Sequence, residues 1–173
     1  MARRLAALYD LPLSHVDSIQ YLAGFARRPE DETRQMLKRL AQQERWLIDG
    51  FGPLDVIAER FARADAIIFV DFPLWRHYFW AGKRQIRAVW APRSELPEGC
   101  NEAGLGHTLR LFRILWRVHM RIRPRLIELM LQPGNRSRLI WVRNLSDWQS
   151  VAQGKLNCAD INIAGGDSGS RIC

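Results

Sequence analysis

An α/β fold built on a mainly parallel sheet is the class this sequence predicts, and three observations predict it. Short apolar stretches alternate with helical patterns, and the connections are long enough for right-handed crossovers. The stretch Ala66-Ile67-Ile68-Phe69-Val70 is apolar on both of its alternating faces, as a parallel strand covered on both sides requires.

The elements follow in order. Residues 2–9 place Leu5 and Leu8 on one helical face with Arg3 and Arg4 off it, and no N-cap precedes them. A short strand is expected over 11–16, tolerating Pro12 at its beginning and ending at Asp17. A polar stretch to Pro29 leads into a helix over 30–44 that opens on Glu and Asp, as the helix dipole favours. Trp46-Leu47-Ile48 is a second strand, ending at Asp49-Gly50, and a helix over 54–64 follows. Strand 66–70 ends at Asp71 and Pro73. A helix over 74–88 then enters a loop punctuated by Pro92, Pro97, Gly99, Gly104 and Gly106. A long helix over 107–131, kinked near Pro124, precedes a strand at Leu139-Ile140-Trp141-Val142 and a helix over 146–152. From 157 the composition turns small and polar, predicting a disordered tail over 157–173.

Length and composition bound the class. A chain of 173 residues suggests one domain, and 47% hydrophobic residues with seven tryptophans argue against disorder. No apolar run approaches the roughly 20 residues of a membrane span, and no partner membrane is expected. The three cysteines (Cys100, Cys158 and Cys173) are too few and too scattered for a disulfide framework, so a cytoplasmic location is expected. Lys and Arg number 26 against 18 Asp and Glu, a formal charge of +8 that favours an anionic partner.

Two constellations carry chemistry. Asp17 and Asp49 follow strands, and in open parallel sheets the carboxyl ends of strands face the ligand crevice. A carboxylate there holds Mg²⁺, takes a proton from an attacking hydroxyl, or grips a substrate hydroxyl; the plainer reading is a turn. Asp71 holds a similar position ahead of Pro73. The second constellation is Arg110, Arg113, Arg117 and Arg121, spaced three, four and four on one helical face with no acid between Gly106 and Arg125. A polyanion would relieve their mutual repulsion, and Arg84 and Arg87 sit on the preceding helix to join them. Gly82-Lys83 is no phosphate loop, and Gly166-Asp167-Ser168-Gly169 matches a protease segment only by coincidence. His15, His77, His119 and His107 show no metal spacing, so no metal site of His or Cys is expected.

Taken together, Ala2-Arg3-Arg4-Leu5-Ala6, Leu11-Pro12-Leu13 ending in Asp17, and Trp46-Leu47-Ile48-Asp49-Gly50 form an ordered set. The set continues through Ala64-Asp65, Asp71-Phe72-Pro73, Glu98-Gly99-Cys100, the block from Phe112-Arg113 to Trp116-Arg117, and Arg123-Pro124-Arg125-Leu126. Over about residues 2–152 it resembles the P-loop kinase-like proteins called DNA topology modulation proteins, relatives of adenylate and shikimate kinases. The resemblance implies a three-layer parallel sheet of the nucleoside/nucleotide kinase type over 1–156, with a helical lid at about 88–107. It further implies an ATP-dependent phosphotransferase using Mg²⁺ and a small-molecule phosphate acceptor. Asp17, Asp49 and Gly50 would lie at the acceptor and Mg²⁺ side, and Arg84, Arg113 and Arg117 in the lid region would neutralise transferred phosphate. Arg143 and Asn144 would lie near the adenine. Trp80 stands where such kinases often carry a basic residue.

The family opens with a strand and a Gly-rich loop ending Gly-Lys-Ser/Thr, which holds the nucleotide phosphates. The sequence begins inside the helix that follows that loop, so the first strand, central in the family sheet, is expected to be missing. Two facing ladders of about five to ten backbone groups would then be unpaired, at about 1–3 kcal/mol each. The expectations drawn are that Met1 is internal, with roughly 10–20 residues before it, and that the chain as written binds ATP weakly. A reading from a different class is a non-catalytic nucleic-acid-binding protein, its Arg110–Arg121 stripe tracking phosphates.

Overall fold

The computed structural model describes residues 1–88, 105–155 and 171–173. Helix α1 (Ala2–Leu8) leads into strand β1 (Leu13–His15), helix α2 (Val16–Gln20), a 3-10 turn (Ala23–Phe25) and helix α3 (Glu30–Ala41). Strand β2 (Trp46–Asp49), helix α4 (Leu54–Arg63), strand β3 (Ile67–Val70) and helix α5 (Leu74–Ala88) follow. Beyond the expected lid, nearly all of which lies outside the described residues, come helix α6 (Leu105–Arg117), a π-helical turn (Val118–Ile122) and helix α7 (Arg123–Met130). Helix α8 (Pro133–Arg136), strand β4 (Leu139–Val142), helix α9 (Leu145–Ala152) and strand β5 (Arg171–Ile172) complete the fold.

Among the described residues the named strands pair in parallel. One sheet runs β1-β2-β5, with Leu13 opposite Leu47 and Leu47 opposite Ile172; the other pairs β3 with β4, from Ile67 opposite Leu139 to Val70 opposite Val142. A parallel bridge between Ala66 and Ile172 joins them. The backbone N–H groups of Asp65 and Ile68 donate to the carbonyls of Arg171 and Cys173, and Cys173 N–H donates to Ala66. The order across the molecule is therefore β1-β2-β5-β3-β4.

This corrects the sequence reading at one decisive place. The gap expected between the strands at 46–49 and 67–70 is occupied by Arg171–Ile172, and the end of the expected disordered tail is a strand. The arrangement follows from backbone chemistry, since an unpaired N–H or C=O between two buried strands costs about 1–3 kcal/mol. Residues 156–170 lie outside the described residues.

Side-chain alternation along the strands feeds two hydrophobic clusters. Trp46, Ile48 and Ile67 point to one with Leu37 of α3, Val56 and Phe61 of α4 and Met130 of α7. Leu47, Ala66, Ile140 and Ile172 point to the other with Leu5 of α1, Phe72 and Val151 of α9. Two-sided apolarity in these strands is thus used on both faces, as a covered parallel sheet needs.

Near Pro124 the backbone stays in the helical region, at Ile122 and Arg123, and changes its hydrogen-bond pattern there. The chain turns through the π-helical segment, where Arg123 N–H reaches back to the Val118 carbonyl, and restarts as α7 with the proline in its first turn.

Candidate functional site at the carboxyl edge of the strands

Because the strands run parallel, their carboxyl ends share one edge, where side chains from separate elements converge. Register sets the first contact. His15 is opposite Asp49, and its Nδ1 lies 3.1 Å from Asp49 Oδ2. Asp49 is half exposed, with 52% of its side chain accessible, so this pair is open to a ligand. The Gly50 backbone sits at φ +114°, and a Cβ there would stand 3.2 Å from Val16 Cβ, so glycine is required for β2 to end against α2.

Asp17 is not at a strand end, as the sequence reading had it. Strand β1 stops at His15, and Asp17 occupies the first turn of α2 with an exposed side chain. The cause is local: Ser18 Oγ donates to the His15 carbonyl at 2.7 Å and helps turn the chain one residue after the strand. Asp17 and Asp49 remain neighbours in topology, on the adjoining ends of β1 and β2.

Beneath Asp49-Gly50 lies an arginine that the sequence reading missed. Arg60 is 1% exposed, and its guanidinium donates to the carbonyls of Ile48 (3.1 Å) and Gly50 (3.2 Å) and to Cys173 Sγ (3.1 Å). It ties the end of β2 to the end of β5. A signal was present in the pattern: Val56, Ile57, Arg60 and Phe61 share one helical face, and all four are buried. Burial pushes the Cys173 thiol up against the opposing Arg60 charge.

At the end of β3 a second missed arginine completes a network around Asp71. Arg123 Nε and Nη2 donate to the two Asp71 oxygens at 2.6 and 2.7 Å, and Trp141 Nε1 donates to Oδ2 at 3.1 Å. Burial opposes ionisation of Asp71, but these hydrogen bonds and the charges of Arg123 and His119 outweigh it, and the carboxyl is held below its ordinary range. Burial, reinforced by the nearby His119, pushes His77 down; a hydrogen bond to the Phe72 backbone and the Asp71 charge oppose it. Asp71 is thus a spent carboxylate that docks α7 onto the sheet. It is no free acid.

The two residues expected near an adenine are committed locally. The Arg143 guanidinium lies over the Trp141 ring at 4.2 Å, and the Asn144 side chain caps α9 by accepting from Asp147 N–H at 2.9 Å, while Asp147 accepts from the backbone of Arg143 and Asn144.

The basic helices form a separate groove of about 580 Å³ between α5 and α6. Its apolar wall is Tyr78, Leu109, Phe112, Trp116 and Met120, with the Tyr78 and Phe112 rings 4.9 Å apart. Arg113, Arg117 and Arg121 line the same depression. Arg110 is exposed outside it, and Arg84 lies in α5 with its side chain outside the described residues. Neither Asp17, Asp49 nor Gly50 lines this groove, so the expected acids and arginines do not share one pocket. Trp80, standing where a basic residue was looked for, packs edge-on against Phe72 at 4.9 Å.

Among the described residues no group of three His, Cys, Asp or Glu side chains is gathered to hold a metal, and no helix is long and apolar enough to cross a membrane. Comparison with known proteins finds no matching family, no similar curated protein and no similar solved structure.

Proposed function

We propose that this chain is a P-loop kinase-like protein, related in architecture to nucleoside and nucleotide kinases, whose strand-end carboxylates handle a small phosphate acceptor. The observation that supports this reading is the parallel order β1-β2-β5-β3-β4, with helices contributing to a core on each face. The resemblance assigns the family's first strand to the position between β2 and β3; Arg171–Ile172 occupies that position in the 173-residue form, so an upstream strand would have to displace this segment. On this reading the helices on the two faces are the outer layers of a three-layer fold, and its ligand edge is at the carboxyl ends of the strands.

Within this reading, Asp49 is the acceptor-side residue. It is accessible, braced by His15 Nδ1, and carried on a strand end that Arg60 locks from beneath. Such a carboxylate orients an acceptor hydroxyl and takes up its proton. Asp17 sits beside it on α2 and steers a ligand by charge. Arg113 and Arg117 are exposed cations on α6, in a groove separate from Asp49, and in this reading they neutralise phosphate oxygens brought against them.

The described residues do not fit ATP·Mg²⁺ well. None of them forms a Gly-rich phosphate cradle, Asn144 is spent on its cap, and Arg143 is stacked on Trp141. ATP, when bound to such a protein, supplies the transferable phosphoryl group.

The reading is tested by translating the DNA upstream of Met1 in frame and assaying both forms. A form carrying Gly-Lys-Ser/Thr is expected to transfer phosphate to a hydroxyl or phosphate acceptor, with Asp49→Asn lowering the rate by about 10²–10⁴. The 173-residue form is expected to give no micromolar ATP binding by calorimetry. A stop codon directly before Met1, with no such loop encoded, overturns the ATP-dependent part of the reading.

A further inference from the structure

The face of α5, α6 and the π-helical turn sets aromatic rings, Arg121 and Arg125, none of which the phosphotransferase reading uses, beside Arg113 and Arg117. Across 74–88 and 105–127 the sequence has no acidic residue. Among the described residues no carboxylate pairs with Arg113, Arg117, Arg121 or Arg125. Large apolar side chains of the groove are exposed as well: Leu109 is 62% exposed, Trp116 54% and Met120 54%. Such a patch marks a binding surface more often than a monomer's free face.

Its shape is a track. The groove of about 580 Å³ along α6 adjoins a second depression of about 600 Å³ that includes Arg125, and both are lined by Arg117 and Arg121. Arg113, Arg117, Arg121 and Arg125 are four residues apart, about 6 Å of helix axis per step. In a pure α-helix that spacing drifts by about 40° per step, and the row would wind away from the groove. The π-helical turn at Val118–Ile122 is wider, so each residue within it turns through less, and Arg121 is held back in line with Arg117.

We infer that this track is a binding site for single-stranded nucleic acid. The guanidiniums engage successive phosphates, and Trp116, with the Tyr78–Phe112 ring pair beneath, offers faces on which unstacked bases lie. A duplex hides its base faces within the stack and does not use such rings. An anionic lipid surface fits less well, because an interfacial helix separates its apolar face from its basic face, whereas here rings and arginines line one concave depression. The inference shares Arg113 and Arg117 with the kinase reading but needs neither the strand-end carboxylates nor ATP, so it stands or falls on its own test.

The test is fluorescence anisotropy of the full chain with a labelled oligodeoxythymidine of about 20 nucleotides, alongside a duplex of the same length and phosphatidylserine vesicles. The single strand is expected to bind in preference to the duplex, with log affinity falling against log salt by about 0.7 per phosphate contact, about 2 for three groove arginines. The double change Arg117→Gln and Arg121→Gln is expected to lower that slope by about 1.4. Trp116→Leu is expected to weaken binding roughly tenfold and leave the slope unchanged. These side chains are exposed, and matching circular dichroism of the variants establishes that they fold. Excess ATP is expected to leave the strand bound. Absence of single-strand binding at low salt, binding to vesicles alone, or binding indifferent to both sets of changes would overturn the inference.

Discussion

Ile172 is bridged in parallel to Ala66 and so joins the two sheets, while its other side pairs with Leu47. Its side chain is 1% exposed and belongs to the cluster around Leu5, Phe72 and Val142. A two-residue strand therefore carries both a ladder and part of a core.

Truncating Ile172 to Ala should lower stability by about 2–5 kcal/mol, as for other buried aliphatic deletions. Urea unfolding measures it, against Arg136→Ala on the exposed surface, which should stay within about 0.5 kcal/mol. Equal midpoints for the two variants would mean that β5 is dispensable.

Asp71→Asn should cost about 1–3 kcal/mol, because it removes a charge-assisted pair from a carboxylate only 10% exposed while Arg123 keeps partial access to water at 34%. The pH dependence has a definite sign. Asp71 is depressed in the fold, so its contribution is present above the unfolded carboxyl value of about 3.9 and is lost as pH falls through the lower folded value. Stability measured down the acid limb should fall less steeply in Asp71→Asn than in the parent.

His77 should weaken the fold in a higher window. Burial lowers its folded value, so the unfolded chain binds the proton more readily below about pH 6.5, and stability drops as pH falls from there. His77→Gln should flatten the stability profile just below that pH while leaving values near pH 8 little changed in shape. A profile with the same slope in both proteins would contradict the assignment.

Arg60→Met should cost roughly 2–5 kcal/mol, since it keeps the length of the side chain but leaves the Ile48 and Gly50 carbonyls without their donor. Arg60→Lys should recover part of this, because an ammonium donates but lacks the planar fork. Thermal unfolding of the three proteins ranks them; Met equal to Arg would show that the buried guanidinium is replaceable.

Much of the architecture was readable from residue patterns. The two-sided apolar run at 66–70 and the Leu139-Ile140-Trp141-Val142 stretch became β3 and β4, and Glu30-Asp31-Glu32 marked the start of α3. Arg60 was legible too, had its place on the buried face of α4 been weighed above its charge. The His15–Asp49 contact was not, because it depends on the register between two strands some thirty residues apart. The four-residue arginine spacing was visible, but the π-helical turn at Val118–Ile122 carries no sequence pattern of its own and appears only in the backbone hydrogen bonding.

Local periodicity and charge by themselves determined the α/β class, most element positions and the existence of a basic helix, since these depend on neighbours in the chain. Only the tertiary structure decided which segment sits between β2 and β3, which acids stay open and which are spent. Asp49 and Asp71 look alike in sequence; one meets a histidine and solvent, the other a bidentate arginine and an indole. The physical reason is that strand pairing and buried ion pairs are satisfied by whatever partner the fold brings near, and sequence separation does not limit that choice.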